Sequence, residues 1–284
     1  MTEKQKNLIT RTITGVLFVA IMVCGFLRPE AMLFLFALIT GMTIWEFCGL
    51  VNEAGGVTVN RFIATVAGVY LFLAVAAIRS GIVANFVVFV PYLLTIIYLF
   101  VSELYLKNEN PIHDWAYTML SQMYIALPLS MASVLAFDVQ PDGLVHYDMM
   151  VPLMVFVFLW VNDSGAYCAG SLLGRHKLFP RISPGKTWEG SIGGGLLVLI
   201  VAAAVGWWLG QSHPLNILMW MGLGLVVVVF GTLGDLVESL FKRTLGIKDS
   251  GNILPGHGGM LDRFDSSLMA IPAAVVYIYT LQLL

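Results

Sequence analysis

The sequence predicts an all-α, polytopic membrane helical bundle of about nine transmembrane helices, and three observations carry that prediction. Of the 284 residues, 58% are hydrophobic and only 11% charged, against about 25% charged in an ordinary soluble domain. With a mean hydropathy of +0.86, the chain has too few polar side chains to cover a globule in water. The apolar residues gather in runs long enough to span a bilayer, and the loops between those runs alternate in charge.

The first run, 12–27, follows Lys4, Lys6 and Arg11 in the manner of a signal peptide. Arg28, Pro29 and Glu30 come next and offer no small-x-small cleavage site, so the run is expected to stay as the first span. Further runs cover 31–51, 62–78, 82–102, 115–137, 149–170, 190–209, 215–234 and 264–283. All are helical by length, since membrane strands are shorter and alternate in polarity. An internal N-terminus puts the loop with Arg175, Lys177, Arg181 and Lys186 in the cytoplasm. It does the same for the loop with Lys242, Arg243, Lys248 and Arg263, while Asp138, Asp142 and Asp148 fall outside with the C-terminus.

Two regions are expected: an N-terminal transmembrane bundle over 1–140, and a catalytic transmembrane region over 141–284 with cytoplasmic loops at 174–189 and 242–263. A formal net charge of -2 gives no reason to expect a nucleic-acid partner. Cys24, Cys48 and Cys168 form no CxxC pair and read as small buried residues. Gly190, Gly193, Gly194 and Gly195 open span seven and suit close helix packing. Trp207, Trp208 and Trp220, near span ends, read as interfacial anchors. Glu46 sits in span two, near its expected cytoplasmic end, without an assigned role.

Three polar clusters interrupt the hydrophobic pattern: Asn162-Asp163-Ser164, the loop 174–189 and the stretch 234–265. In the expected topology all three meet at the cytoplasmic face. Charges within a bilayer are costly and usually line a cavity. Asp235, Glu238 and Lys242 share one helix face by their three- and four-residue spacing, with Ser239 and Arg243 on the neighbouring stripe. A surface Glu238–Lys242 pair at a helix end would explain the same spacing. Gly256, Gly258 and Gly259 leave backbone N–H groups uncovered, as phosphate-binding loops do, and Asp262 and Asp265 follow on one face. Carboxylates from two helices with Lys and Arg nearby suit Mg²⁺ plus phosphate; a Gly-rich turn with helix-capping Asp residues is the structural alternative. SPGKT at 183–187 is not a Walker A loop, because position 180 is Pro and no strand is expected before it. Lys186 and Thr187 can still hold an anion at the helix start that follows.

Read together, Ser239-Leu240-Phe241-Lys242-Arg243, then Lys248-Asp249-Ser250-Gly251, then the run Leu254 to Asp265 (LPGHGGMLDRFD) resemble the signature of the phosphatidate cytidylyltransferase (CDP-diacylglycerol synthase) family without a departure. NDSGAY at 162–167 and SPGKTWEG at 183–190 are similar to that family too, whereas the first 140 residues resemble it only as a hydrophobic bundle. The resemblance implies transfer of CMP from CTP to phosphatidic acid, giving CDP-diacylglycerol and pyrophosphate for phospholipid biosynthesis. It implies Mg²⁺ dependence that allows a second cation, a homodimer, and a cytoplasmic (inner) membrane location with the active site facing the cytoplasm.

Carried over residue by residue, the resemblance makes Asp235 and Asp262 the metal-binding carboxylates and joins them with Lys242, Arg243 and Lys248 as catalytic residues. It assigns substrate binding to Ser183, Lys186, Thr187, Asn162, Asp163, Ser239, His257, Gly258, Gly259, Arg263 and Asp265. Two rivals stay open. One is another CTP-using membrane enzyme, such as a polyprenol kinase or a CDP-archaeol synthase. The other is a transporter, whose intramembrane charges would mark an ion path.

Overall fold

A computed structural model describes residues 3–139, 143–251 and 258–283, with side chains from Thr12 onward. Ten α-helices account for most of it. They are α1 (Glu3–Phe26), α2 (Pro29–Ala54), α3 (Arg61–Arg79), α4 (Val90–Leu106), α5 (Pro111–Leu120), α6 (Leu127–Ala136), α7 (Met150–Leu173), α8 (Trp188–Leu209), α9 (Ile217–Thr244) and α10 (Leu261–Gln282). Two short antiparallel hairpins complete it: β1 (Phe137–Val139) with β2 (Val145–Tyr147), and β3 (Lys177–Phe179) with β4 (Ser183–Thr187). Among the described residues eight helical segments are long and apolar enough to cross a membrane, and Thr12–Phe26 of α1 adds a shorter apolar helix. The expected spans and these segments correspond one to one. The chain divides into two units, residues 1–149 with 244–264, and residues 150–243 with 265–284.

In the first unit, local polar contacts set the turns between spans. Pro29 occupies the start of α2, where its missing N–H costs nothing, and Glu30 lies in the first turn. Asn52 closes the α2–α3 connection by donating to Val59 O (2.9 Å) and accepting from Val59 N (2.8 Å). Asn60 then caps α3 by accepting from Ile63 N at 3.1 Å. Buried Asp114 accepts from both the backbone N (2.7 Å) and the hydroxyl (2.8 Å) of Thr58. Helices α5 and α6 form one span through a π-helical turn, Ser121–Ala126, which ends two residues before Pro128, a residue with no N–H to continue the α ladder. The core carries Phe26, Phe36 and Phe72, with ring centroids 5.4 and 6.4 Å apart.

The second unit is organised by close approach of α7 and α8. A Cβ on Gly194 would lie 2.7 Å from both the backbone and side-chain oxygens of Asn162, and one on Gly190 would lie 2.8 Å from Ala166 O. Glycine at these positions lets the backbones meet, as the run at the start of span seven predicts. On the far side, Tyr277 of α10 donates to Met219 O of α9 at 2.9 Å.

Several expectations change. The helix of span eight continues past the apolar run that ends at 234, as the shared helix face of Asp235, Glu238 and Lys242 predicts, but the loop expected from 242 begins later: α9 runs unbroken to Thr244, with Lys242 and Arg243 in its last turn. The loop 174–189 is a β-hairpin leading directly into α8. Cys48 is buried, but Cys24 and Cys168 are exposed on helix surfaces, where apolar surroundings in a membrane need not mean a protein core. Trp207 and Trp208 are exposed at the end of α8 (78% and 70%), as anchors are, whereas Trp220 is fully buried against Phe158 and His213. Asp142 lies outside the described residues.

Candidate functional site

The predicted site residues divide between the two units. In the second unit, α7, the β3–β4 hairpin, α8, α9 and α10 surround a cavity of about 480 Å³, within the range of about 300–1,000 Å³ typical of small-molecule sites. Asn162, Asp163, Lys186, Thr187 and Asp235, all predicted from sequence, line it. Two of the three polar clusters therefore converge on Asp235, from the third.

Lys186 is the last residue but one of β4, and its Nζ lies 2.5 Å from Asp235 Oδ2. Both side chains are partly open, at 26% and 29%. Ser239, one turn along α9, donates to Asp235 Oδ1 at 3.2 Å. Thr187 serves as the N-cap of α8, its hydroxyl accepting from Gly190 N at 3.1 Å. The expected meeting of a cation with a helix start is thus present, although SPGKT itself is a strand. Glu189 steadies the base of the hairpin by accepting from His176 Nδ1 (2.5 Å) and from the backbone N of Arg175 (3.1 Å).

Further along α9, Lys242 pairs with fully buried Glu238 at 2.6 Å. This is the i,i+4 pair foreseen, but in the interior, not on the surface. Half-buried Asp265 accepts from Ser266 N at 2.5 Å, and Asp235, Asp163 and Lys242 are the charged groups around it. Arg243 is exposed, and Ser183 pairs with Phe179 in the hairpin and is not among the residues lining the cavity. Thr232, Ser191, Tyr167 and Ser266 line the cavity without having been predicted. Thr232, Ser191 and Ser266 are small uncharged residues that carry no signal of their own, whereas Tyr167 closes the NDSGAY motif and could have been singled out from it.

The first unit holds the remaining signature residues. Asp262, in the first turn of α10, accepts through Oδ2 from Ser250 N and Gly259 N, each at 2.9 Å. These bonds orient the carboxylate and resemble the capping alternative. Gly258 adopts φ +80°, and a Cβ there would stand 2.4 Å from Asp262 Oδ2, so glycine is required on both counts. Lys248 and Arg263 are exposed. His257 lies outside the described residues, as does Gly256. Glu46, unassigned from sequence, is 94% shielded (6% exposed) and accepts from Ser250 Oγ, Met260 N and Leu261 N. Its signal was an acidic residue within an apolar span.

Among the described residues no three His, Cys, Asp or Glu side chains are grouped as metal ligands. The donor set around Asp235 still fits Mg²⁺, which takes one or two carboxylates and completes its shell with water and substrate phosphate. Asp235 already holds a cationic group at 2.5 Å.

Helical spans enclosing a pocket lined by Lys186, Asp163 and Asp235 at a strand–helix junction define a polytopic membrane protein with a polar cavity among its spans. The chain belongs to the cytidylyltransferase family, whose model it matches over residues 9–281. It is 43% identical over 166 residues to proteins named phosphatidate cytidylyltransferase from Staphylococcus aureus (strain COL) and Staphylococcus haemolyticus (strain JCSC1435). A similarly named protein of Staphylococcus epidermidis is 41% identical over the same length. Each match takes in 58% of this chain and spans 60% of the relative's own length.

Proposed function

We propose that the protein transfers CMP from CTP to phosphatidic acid, yielding CDP-diacylglycerol and pyrophosphate for phospholipid biosynthesis. The observation that carries this reading is the Lys186–Asp235 pair in the second-unit cavity, a partly exposed cation beside a carboxylate on the helix that carries the start of the family signature. A phosphate oxygen of phosphatidic acid would attack the α-phosphorus of CTP. The bond from that phosphorus to the bridging oxygen would break, and its electron pair would leave with pyrophosphate. The lipid phosphate is already an anion near neutral pH, so alignment and charge neutralisation suffice and no general base is needed.

Lys186 and Thr187 bind phosphate at the start of α8 in this reading, and Asn162, Asp163 and Ser239 orient polar groups in the cavity. Ser183, Asp265, Gly258, Gly259, Arg263 and His257 are assigned to the substrates on the strength of the signature. Lys242 and Arg243 of the second unit, and Lys248 of the first, are each assigned to charge neutralisation in catalysis on the strength of the signature. Asp235 and Asp262 are each proposed to bind Mg²⁺, with a second cation allowed. Bound there, the metal supplies charge neutralisation to the phosphate oxygens. A homodimer in the cytoplasmic membrane, with its site facing the cytoplasm, completes the proposal, since CTP is a soluble nucleotide and phosphatidic acid lies in the leaflet.

Purified protein in detergent, given labelled CTP, phosphatidic acid and Mg²⁺, should make a lipid-linked CMP product. By microscopic reversibility it should also regenerate CTP from CDP-diacylglycerol and pyrophosphate. Failure of both reactions with folded protein overturns the proposal and favours a transporter or a different CTP-using enzyme.

A further inference from the structure

Glu46 makes three hydrogen bonds within the first unit, and all go to the signature segment. Its Oε1 accepts from Ser250 Oγ at 2.5 Å and from Leu261 N at 3.0 Å, and its Oε2 accepts from Met260 N at 2.9 Å. The partners lie 204, 215 and 214 residues away in sequence, so no local turn geometry accounts for them. Two glycines make room for the carboxylate. A Cβ on Gly251 would stand 2.7 Å from Glu46 Oε2, and one on Gly259 would stand 2.0 Å from Oε1.

The same segment holds Asp262. Ser250 N and Gly259 N donate to Asp262 Oδ2, and Asp262 N donates to Ser250 Oγ at 3.3 Å. Ser250 therefore touches both carboxylates, through its hydroxyl to Glu46 and through its backbone to Asp262. A buried carboxylate on one helix that satisfies orphan N–H groups at the start of another is an expensive arrangement to bury unless it is fully bonded. Here it fastens residues 250 and 260–261 to α2.

The geometry points to Glu46 as a positioning residue that, through Ser250 and the first turn of α10, sets the orientation of the Asp262 carboxylate for phosphoryl chemistry. This rests on the proposed cytidylyltransferase reading of Asp262. Glu46 is buried, and both of its carboxylate oxygens are engaged by Ser250, Met260 and Leu261. Its exchange should therefore lower turnover without weakening substrate binding.

In Glu46→Gln one side of the head group becomes an NH₂ and faces a backbone N–H donor in place of an acceptor. Amide hydrogen exchange at Met260 and Leu261 should rise by about 10- to 100-fold, the loss expected for a bond to a charged acceptor, while α3 amides stay protected. The kcat should fall by a similar factor, with KM for CTP and phosphatidic acid within about twofold of the original protein. Ser250→Ala, which leaves Glu46 its two backbone donors, should shift exchange and kcat in the same direction by less, and keeps the test open if Glu46→Gln does not fold. The double variant should cost less than the sum of the two, because both act on one contact. Unchanged exchange at 260 and 261, or raised exchange with unchanged kcat, overturns the inference. An unmutated protein that forms no lipid-linked CMP overturns the functional reading instead, and the exchange measurement alone then decides whether Glu46 holds the segment.

Discussion

Lys186→Ala should move metal binding and nucleotide binding in opposite directions. In the structure the Lys186 ammonium lies 2.5 Å from Asp235 Oδ2, with the two side chains 26% and 29% exposed. At that exposure the pair contributes about 1 kcal/mol. A divalent ion proposed to bind Asp235 must displace or share this cation, so removing it should tighten metal binding to the substrate-free protein by about fivefold, the equivalent of that energy. In the same variant CTP would lose the cation proposed to hold its phosphates. Its kcat/KM should drop by about 10²–10³, as for loss of one group that stabilises developing charge. Titration with Mn²⁺ followed by electron paramagnetic resonance, with Mg²⁺ as competitor, reads the first effect, and steady-state kinetics with labelled CTP read the second. The melting temperature should change by no more than a few degrees, about what 1 kcal/mol produces in a chain of this size. Unaltered metal affinity would refute the idea that Lys186 and metal compete for Asp235. A large fall in melting temperature with normal turnover in the folded fraction would make Lys186 a structural residue.

Asp235→Asn and Asp262→Asn should each abolish Mg²⁺-dependent turnover while leaving a monodisperse, cooperatively melting protein; normal activity in either variant would remove that residue from the proposed metal-binding pair. Gly194→Ala should destabilise by about 1–3 kcal/mol, the usual cost of overpacking, because its Cβ meets Asn162 backbone and side-chain oxygens at 2.7 Å. Gly185→Ala, where nothing lies within 4 Å, should be close to neutral in a thermal-shift comparison. Reporter fusions after Gly246 and at the C-terminus should report opposite sides of the membrane; if both report the cytoplasm, the expected topology is wrong.

The spans were legible because run length alone decides them. Hydropathy marks where an apolar run stops, not where its helix ends. The apolar run of span eight stops near Asp235, and the three- and four-residue spacing of Asp235, Glu238 and Lys242 already reads as a continuing helix, which runs to Thr244. Asp235, Glu238 and Lys242 share one face, whereas Leu233, Val237 and Leu240 are about 40% exposed on others. A charged residue thus marked a polar face inside the span, not its end. The hairpin at 177–187 was hidden for another reason: its strands have three and five residues, and one contains Pro184 and Gly185, which weaken any strand signal. Trp220 shows the limit of reading by position, since a tryptophan near a span end can serve as an anchor or as core, and only packing decides.

Burial also separates two kinds of charge that look alike in the sequence. Asp235 and Lys186 keep over a quarter of their surfaces open, whereas Glu46 and Glu238 are 6% and 0% exposed. A partly open pair of about 1 kcal/mol can be broken by an arriving phosphate or cation at little cost. A buried carboxylate that loses its partner costs about 3–5 kcal/mol and stays where it is. The Lys186–Asp235 pair therefore has the energetics of a site that exchanges partners during a reaction. The Glu238–Lys242 and Glu46–Ser250 contacts have those of fixed supports. Lys242 is thus expected to act from a set position, its charge adding to the field in the cavity without leaving Glu238. Substituting Glu238 by Gln should therefore weaken the fold as well as the reaction, whereas substituting Lys186 should affect the reaction almost alone.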